Sequence, residues 1–164
     1  MYNRNVIFFY YGENSFAVDQ QSNQQISDFT RQYGPDSLAK IDASETDTTN
    51  FVSQIVNTSL LSPRRIIILR DSDKVKPIWN SLGENLGRVP DEIDLVVIAE
   101  SPDKRTKTFK DLLKTAKSKE FKPLREYELI NWLKSEVSKL GQTITDGAAR
   151  QLLTATSADQ WRLS

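Results

Sequence analysis

Two uninterrupted apolar stretches, Ile66-Ile67-Ile68-Leu69 and Leu95-Val96-Val97-Ile98, set the strongest limit on how this chain can fold. A strand sends successive side chains to opposite faces, so an unbroken apolar strand must be covered on both sides. Such strands sit at the centre of parallel sheets flanked by helices. Further strand-sized runs occupy residues 6–11, 38–43 and, more weakly, 119–121, beside 65–69 and 93–99. Between them the spacing changes from strand-like to helical. Ile26, Phe29 and Tyr33 make one stripe, and Phe51, Val52, Ile55 and Val56 a second. Val75, Trp79, Leu82 and Leu86 make a third, and Phe109, Leu112, Leu113 and Ala116 a fourth. Gly34-Pro35-Asp36 stops the first helix. Alternating strands and helices predict an α/β fold, with a doubly wound, mostly parallel five-stranded sheet.

The pattern changes at Pro123, after which only helical periodicity is found. Leu129, Ile130, Leu133, Val137 and Leu140 form a stripe closed by Gly141, and Thr145 is placed to cap a helix carrying Ala148, Ala149, Leu152 and Leu153. We therefore expect an α/β domain over residues 1–123 and a helical one over 124–164. Residues 159–164 read as the opening of a further helix, so the helical part is expected to be cut short. Trp79, Trp132 and Trp161 read as packing residues.

The first strand leads through Gly12-Glu13-Asn14-Ser15-Phe16-Ala17-Val18-Asp19 into a helix, the setting of a phosphate-binding loop. That loop reads G-x-x-x-x-G-K-[ST]. Gly12 fits the first position, but Ala17, Val18 and Asp19 stand where Gly, Lys and Ser/Thr belong. No cation reaches a polyphosphate, no hydroxyl holds Mg²⁺, and a carboxylate at the last position would repel a polyphosphate. Asp71 and Asp73 could be metal carboxylates, but without that Lys they read better as a strand-end turn, with Asp73-Lys74 a local ion pair. Glu100-Ser101, where such folds place a phosphate sensor, reads as a solvated strand end. No cofactor and no metal are expected. The chain holds no His and no Cys, which removes Ser-His-Asp and Cys-His catalysis, thiolate metal sites and disulfides. No catalysis of its own is expected.

The 22 Lys and Arg balance the 22 Asp and Glu, so no net charge draws the whole chain to nucleic acid or membrane. The apolar runs are far short of the ~20 residues a membrane helix needs, and a cytoplasmic location is expected. Locally, Lys104, Arg105, Lys107, Lys110, Lys114, Lys117, Lys119 and Lys122 make a basic stretch interrupted by Asp111 and Glu120. It is either the solvated face of a helix or a phosphate-contacting surface. Leu60 and Leu61 lie between a helical stripe and a strand, flanked by polar residues. They either cap the core or project as an apolar wedge. On residues alone, a small nucleotide-binding or receiver-like switch domain is an alternative. Asp71 lies where a receiver's phosphoacceptor would, although Tyr11-Gly12-Glu13 supplies only one of the two carboxylates wanted at the end of the first strand.

Several segments in order resemble the N-terminal part of the delta subunit of the bacterial DNA polymerase III clamp loader. They are Phe8-Phe9-Tyr10-Tyr11-Gly12-Glu13-Asn14-Ser15-Phe16, Asp42-Ala43-Ser44-Glu45, Ser59-Leu60-Leu61-Ser62-Pro63-Arg64-Arg65 with Ile66-Ile67-Ile68-Leu69-Arg70, and Asp73-Lys74. Then come Pro102-Asp103-Lys104-Arg105, Phe121-Lys122-Pro123-Leu124, Trp132-Leu133-Lys134, Gly141 and Asp159-x-Trp161-Arg162-Leu163. The order and spacing of these pieces carry the resemblance. It implies a degenerate P-loop domain of the AAA+ type followed by the start of a helical lid, with a C-terminal collar domain missing. It further implies a subunit of the polymerase holoenzyme that binds the sliding clamp and helps open the ring for loading onto primed DNA. Ser59, Leu60 and Leu61 would be the clamp-binding element, with Leu61 in place of the family's usual Phe. Lys104, Arg105, Lys107 and Lys110 would face primer–template DNA, and the other loader subunits would join through the collar.

Overall fold

The computed structural model describes residues 6–58 and 64–164. The chain divides into two compact units, Met1–Phe121 and Lys122–Ser164. The first carries five parallel strands, β1 (Ile7–Tyr11), β2 (Leu38–Asp42), β3 (Arg65–Arg70), β4 (Ile93–Ala99) and β5 (Lys117–Glu120), in the order β2-β3-β4-β1-β5. The helices between them are α1 (Ser15–Tyr33), α2 (Thr48–Val56), α3 (Lys76–Asn85) and α4 (Lys107–Thr115).

The alternation within β3 shows how the sheet is covered. Ile67 and Leu69 join Phe9, Leu95 and Val97 beneath Phe51 and Ile55 of α2, Ile78 and Leu82 of α3 and Phe109 and Leu112 of α4. Ile66 and Ile68 point the other way, joining Tyr10, Val96 and Ile98 under Val18 and Phe29 of α1. Both faces are apolar because both are roofed, which is why the central strands show no polar alternation. Local chemistry starts the helices where they begin. Asn14, Asp47 and Thr106 each accept a hydrogen bond from a first-turn backbone N–H of α1, α2 and α4. The contact between α3 and α4 is close: a Cβ on Gly83 would stand 2.4 Å from Thr108 Oγ1, whose hydroxyl donates to the Trp79 carbonyl.

Two expectations shift. The fifth strand begins at Lys117, two residues before the run 119–121, and all its residues are exposed. It is an edge strand held by backbone pairing with Phe8–Tyr11 rather than by burial, so hydropathy reports it poorly. Leu113, assigned to the fourth stripe, lies on the outer side of α4 and is exposed.

The second unit packs α5 (Glu126–Lys139) on α6 (Asp146–Ala155), followed by the short α7 (Gln160–Leu163). Leu129, Ile130 and Leu133 meet Ala149 and Leu153 in its core, with Trp132 and Val137 packed against them. Thr145 caps α6 through Ala148 N–H. Gly141 (φ +74°) ends α5 as the left-handed residue of a Schellman turn, with Gly141 N–H to Ser138 O and Gln142 N–H to Val137 O. Leu140 falls beyond the last helical turn and is exposed, and Trp161 is half exposed. Among the described residues, no helix is long and apolar enough to cross a membrane.

Candidate functional site

Because every strand runs the same way, the sheet has one edge of strand C-termini and one of strand N-termini. In such folds ligands bind outside the C-terminal edge, where connections from neighbouring strands leave toward opposite faces. Here that place lies between β1, which leads to α1 on one face, and β4, which leads to α4 on the other. A crevice of about 150 Å³ opens there, lined among others by Gly12, Asp19, Arg70, Asp71 and Glu100.

The loop beside the crevice differs from a phosphate-binding loop in its side chains and in its backbone hydrogen bonds. Three residues connect β1 to α1, and two of them, Gly12 and Asn14, turn their N–H groups into the protein. Gly12 N–H donates to Ala99 O, Asn14 N–H to Phe121 O and Ser15 N–H to Glu13 O, while Ala17 N–H goes to the Asn14 side chain. A phosphate nest needs such donors aimed outward. Gly12 is kept for another reason. It sits at φ +122°, and a Cβ there would stand 2.3 Å from the Phe121 carbonyl oxygen. The glycine lets the chain after β5 press against the start of the loop. Asp19, at the position of the Mg²⁺-binding hydroxyl, instead receives the Arg70 guanidinium at 2.6 Å, an ion pair that spans the crevice from α1 to the end of β3.

The acidic turn after β3 is spoken for as well. Asp71 is left-handed (φ +55°), and Lys74 Nζ lies 2.7 Å from its carboxylate and 3.2 Å from Glu100. Hydrogen bonding to Asp71, then to Glu100, raises the Lys74 pKa. The partner of Lys74 is thus Asp71 and not Asp73. Asp73 turns inward to accept from Ser101 N–H at 3.1 Å, and burial pushes its carboxyl up. Among the described residues, no group of three or more acidic, His or Cys side chains is arranged to hold a metal.

The four cations singled out in the sequence stand on the same C-terminal edge, at the β4–α4 connection and the first turns of α4. Lys104 pairs with Glu120 at 2.8 Å, Arg105 with Asp103 at 2.9 Å and Lys107 with Asp111 at 2.7 Å. The hydrogen bond from Arg105 holds Asp103 down to about 2. Lys110 is exposed one helical turn beyond Lys107. Ser59, Leu60 and Leu61 lie outside the described residues. The residues bordering them, Thr58 after α2 and Arg64 before β3, lie toward the opposite, N-terminal edge.

Sequence reasoning missed a cluster at that edge. Arg64 and Asp94 pair at 2.7 Å with only 14% of either side chain exposed. The same carboxylate oxygen accepts from Val6 N–H at 3.1 Å, and the guanidinium lies 5.7 Å from the centre of the Tyr33 ring. The available signal was Asp94 itself, a carboxylate set within the apolar stretch that forms β4.

A five-stranded parallel sheet in this order, with helices on both faces, defines a doubly wound α/β domain. The family model described as DNA polymerase III, delta subunit, matches residues 8–122, and the chain belongs to that family. Two solved structures share the fold. The Bacillus subtilis DNA clamp loader delta protein aligns with a TM-score of 0.64 at 18% identity, over 92% of this chain and 48% of that one. A DNA polymerase III gamma subunit-related protein from Thermotoga maritima aligns with a TM-score of 0.51 at 13% identity, over 92% of this chain and 54% of that one. The chain thus spans about half the length of the solved proteins it matches. No curated protein matches it.

Proposed function

We propose that this chain is the clamp-engaging part of a clamp-loader delta subunit within the DNA polymerase III holoenzyme: it binds the sliding clamp and helps open the ring for loading onto primed DNA. The observation that carries this reading is the family match across residues 8–122, which includes the segment 59–61. Residues 1–123 would be the AAA+-type domain and 124–164 the start of the lid. The closed loop, the Asp19–Arg70 ion pair and the family assignment all favour it over a nucleotide-binding or receiver-like switch.

In this reading the work is mechanical. Leu60 and Leu61, presented with Ser59, enter an apolar pocket on one clamp protomer. Fully burying two leucines is worth roughly 1.5–3 kcal/mol each, enough for an interface hot spot. If the pocket accepts them better in the distorted ring, binding shifts the ring toward open, by no more than the difference in affinity for the two ring states. No covalent step is required of this chain. Lys104, Arg105, Lys107 and Lys110, at the opposite sheet edge, would face primer–template DNA in the assembled loader, and contacts to other subunits would come from parts beyond this domain. Leu60→Ala with Leu61→Ala is expected to weaken binding to the sliding clamp of the same organism about tenfold or more, with an unchanged circular dichroism spectrum. Wild-type affinity in a titration of that variant would remove the assignment.

A further inference from the structure

We infer that the open edge of β5 is a docking site for an acidic, extended segment of a partner protein, which adds to the sheet as a sixth strand with its carboxylates against Lys117 and Lys119. The inference stands apart from the clamp and DNA readings above, since it uses none of their residues. A strand at a sheet edge leaves one row of main-chain groups without a neighbouring strand, and extended peptides are recognised there. β5 is the last strand in the order β2-β3-β4-β1-β5, and among the described residues it pairs only with β1. All four of its residues are exposed. Hydrogen-bond direction fixes what the edge presents. Just past β5, Phe121 N–H donates to Tyr11 O and Phe121 O accepts from Asn14 N–H, so both main-chain groups of Phe121 face the β1 side. In a parallel strand that side alternates from residue to residue. Lys119 and Lys117 therefore also turn their main chain toward β1, while Ser118, within the strand, turns its N–H and C=O to the open side.

Charge selects the segment. Lys117 Nζ lies 5.6 Å from the centre of the Phe8 ring, and Lys119 Nζ lies 4.7 Å from that of Phe121 and 3.0 Å from Gln21 Oε1 of α1. Both cations thus stand on the α1 face of the sheet. Lysines on an edge strand commonly guard it against pairing. Here aromatic rings and Gln21 hold them on the face, so the edge beside Ser118 stays open. Lys104 and Lys107 have carboxylate partners, but among the described residues Lys117 and Lys119 have none. Two residues apart, they are spaced ~6.6 Å along the strand, as are alternate side chains on an adjoining strand. Opposite charges facing each other across a strand pair stabilise it. A phosphate backbone matches the charge but brings only acceptors, which leaves the outward Ser118 C=O without a donor. A peptide main chain brings both a donor and an acceptor.

Fluorescence anisotropy on the full chain tests this. The probe is a labelled synthetic peptide alternating Val and Glu. One control alternates Val and Lys, and the other is the Val-Glu peptide N-methylated throughout, which removes its main-chain donors. The Val-Glu peptide should bind and neither control should. Lys117→Glu with Lys119→Glu should weaken its binding about tenfold, because like charges then face each other. Ser118→Pro removes the outward donor at a place where an edge strand tolerates proline, so it should keep the fold and weaken binding about fivefold. Circular dichroism checks the fold of both variants. Should Ser118→Pro not fold, slowed hydrogen exchange at the Ser118 amide of the wild-type chain on adding the Val-Glu peptide reads the same contact. No binding of that peptide at millimolar concentration overturns the proposal. Binding that survives N-methylation, an unchanged affinity in folded Ser118→Pro, or an unprotected Ser118 amide shows charge attraction without strand addition and also overturns it. A charge-reversed variant that loses affinity for a labelled dT oligonucleotide while keeping the peptide assigns the two lysines to nucleic acid instead.

Discussion

Gly12 serves packing at the position where a phosphate-binding loop would begin. Its positive φ suits a glycine loop, yet its neighbour is the Phe121 backbone rather than a phosphate. Gly12→Ala would force both an unfavourable backbone angle and a 2.3 Å contact with a main-chain oxygen that has no flexible side chain to yield. We expect a loss of ~2–4 kcal/mol in chemical denaturation, the range of strained backbone and overpacked sites. A change under about 0.5 kcal/mol, typical of an unconstrained surface site, would contradict this account. The sequence displayed Gly12 but not its reason, since Phe121 is remote along the chain. Asp19 is similar: its place in the missing motif was legible, its partner Arg70 was not.

Elements were legible in proportion to their burial. β3 and β4 announced themselves because both faces are covered, while β5 is defined by its hydrogen bonds to β1 and has no buried side chain to signal it. Leu113 and Leu140 followed the helical period yet lie exposed, one on the outer side of α4 and one past the end of α5. The basic stretch reads as a surface in both sequence and structure, but its ion pairs change what it can do. Such exposed pairs contribute little, so phosphates can take the place of Asp103, Asp111 and Glu120 as partners. Replacing Lys104, Arg105, Lys107 and Lys110 together by Ala in the assembled loader should flatten the dependence of log K for primer–template DNA on log salt, by up to about 0.9 per lost phosphate contact. An unaltered slope in anisotropy titrations would take these residues off the DNA-facing surface.

At the scale of the molecule, the parallel sheet has two opposite edges. The bordering residues Thr58 and Arg64 lie at the N-terminal edge, while the crevice and the basic connection lie at the C-terminal edge, roughly 20 Å away along strands that rise ~3.3 Å per residue. In the proposed reading the clamp is held at one end while DNA passes the other, and the mechanism requires no nucleotide bound to this domain. Millimolar Mg-ATP should accordingly leave the thermal midpoint of this chain unchanged. A working site filled to one hundred times its Kd would add about 2.7 kcal/mol, a readily seen upward shift.

The sequence by itself determined the class of fold, the order of its elements and the departure from the phosphate-binding motif, because these follow from hydropathy period and from which side chains are present. Only the tertiary structure decided the strand order, the Asp19–Arg70 ion pair, the packing at Gly12 and the Arg64–Asp94 ion pair. Each of these is a meeting of residues far apart along the chain, and local pattern carries no record of which distant groups the sheet will bring within hydrogen-bonding reach.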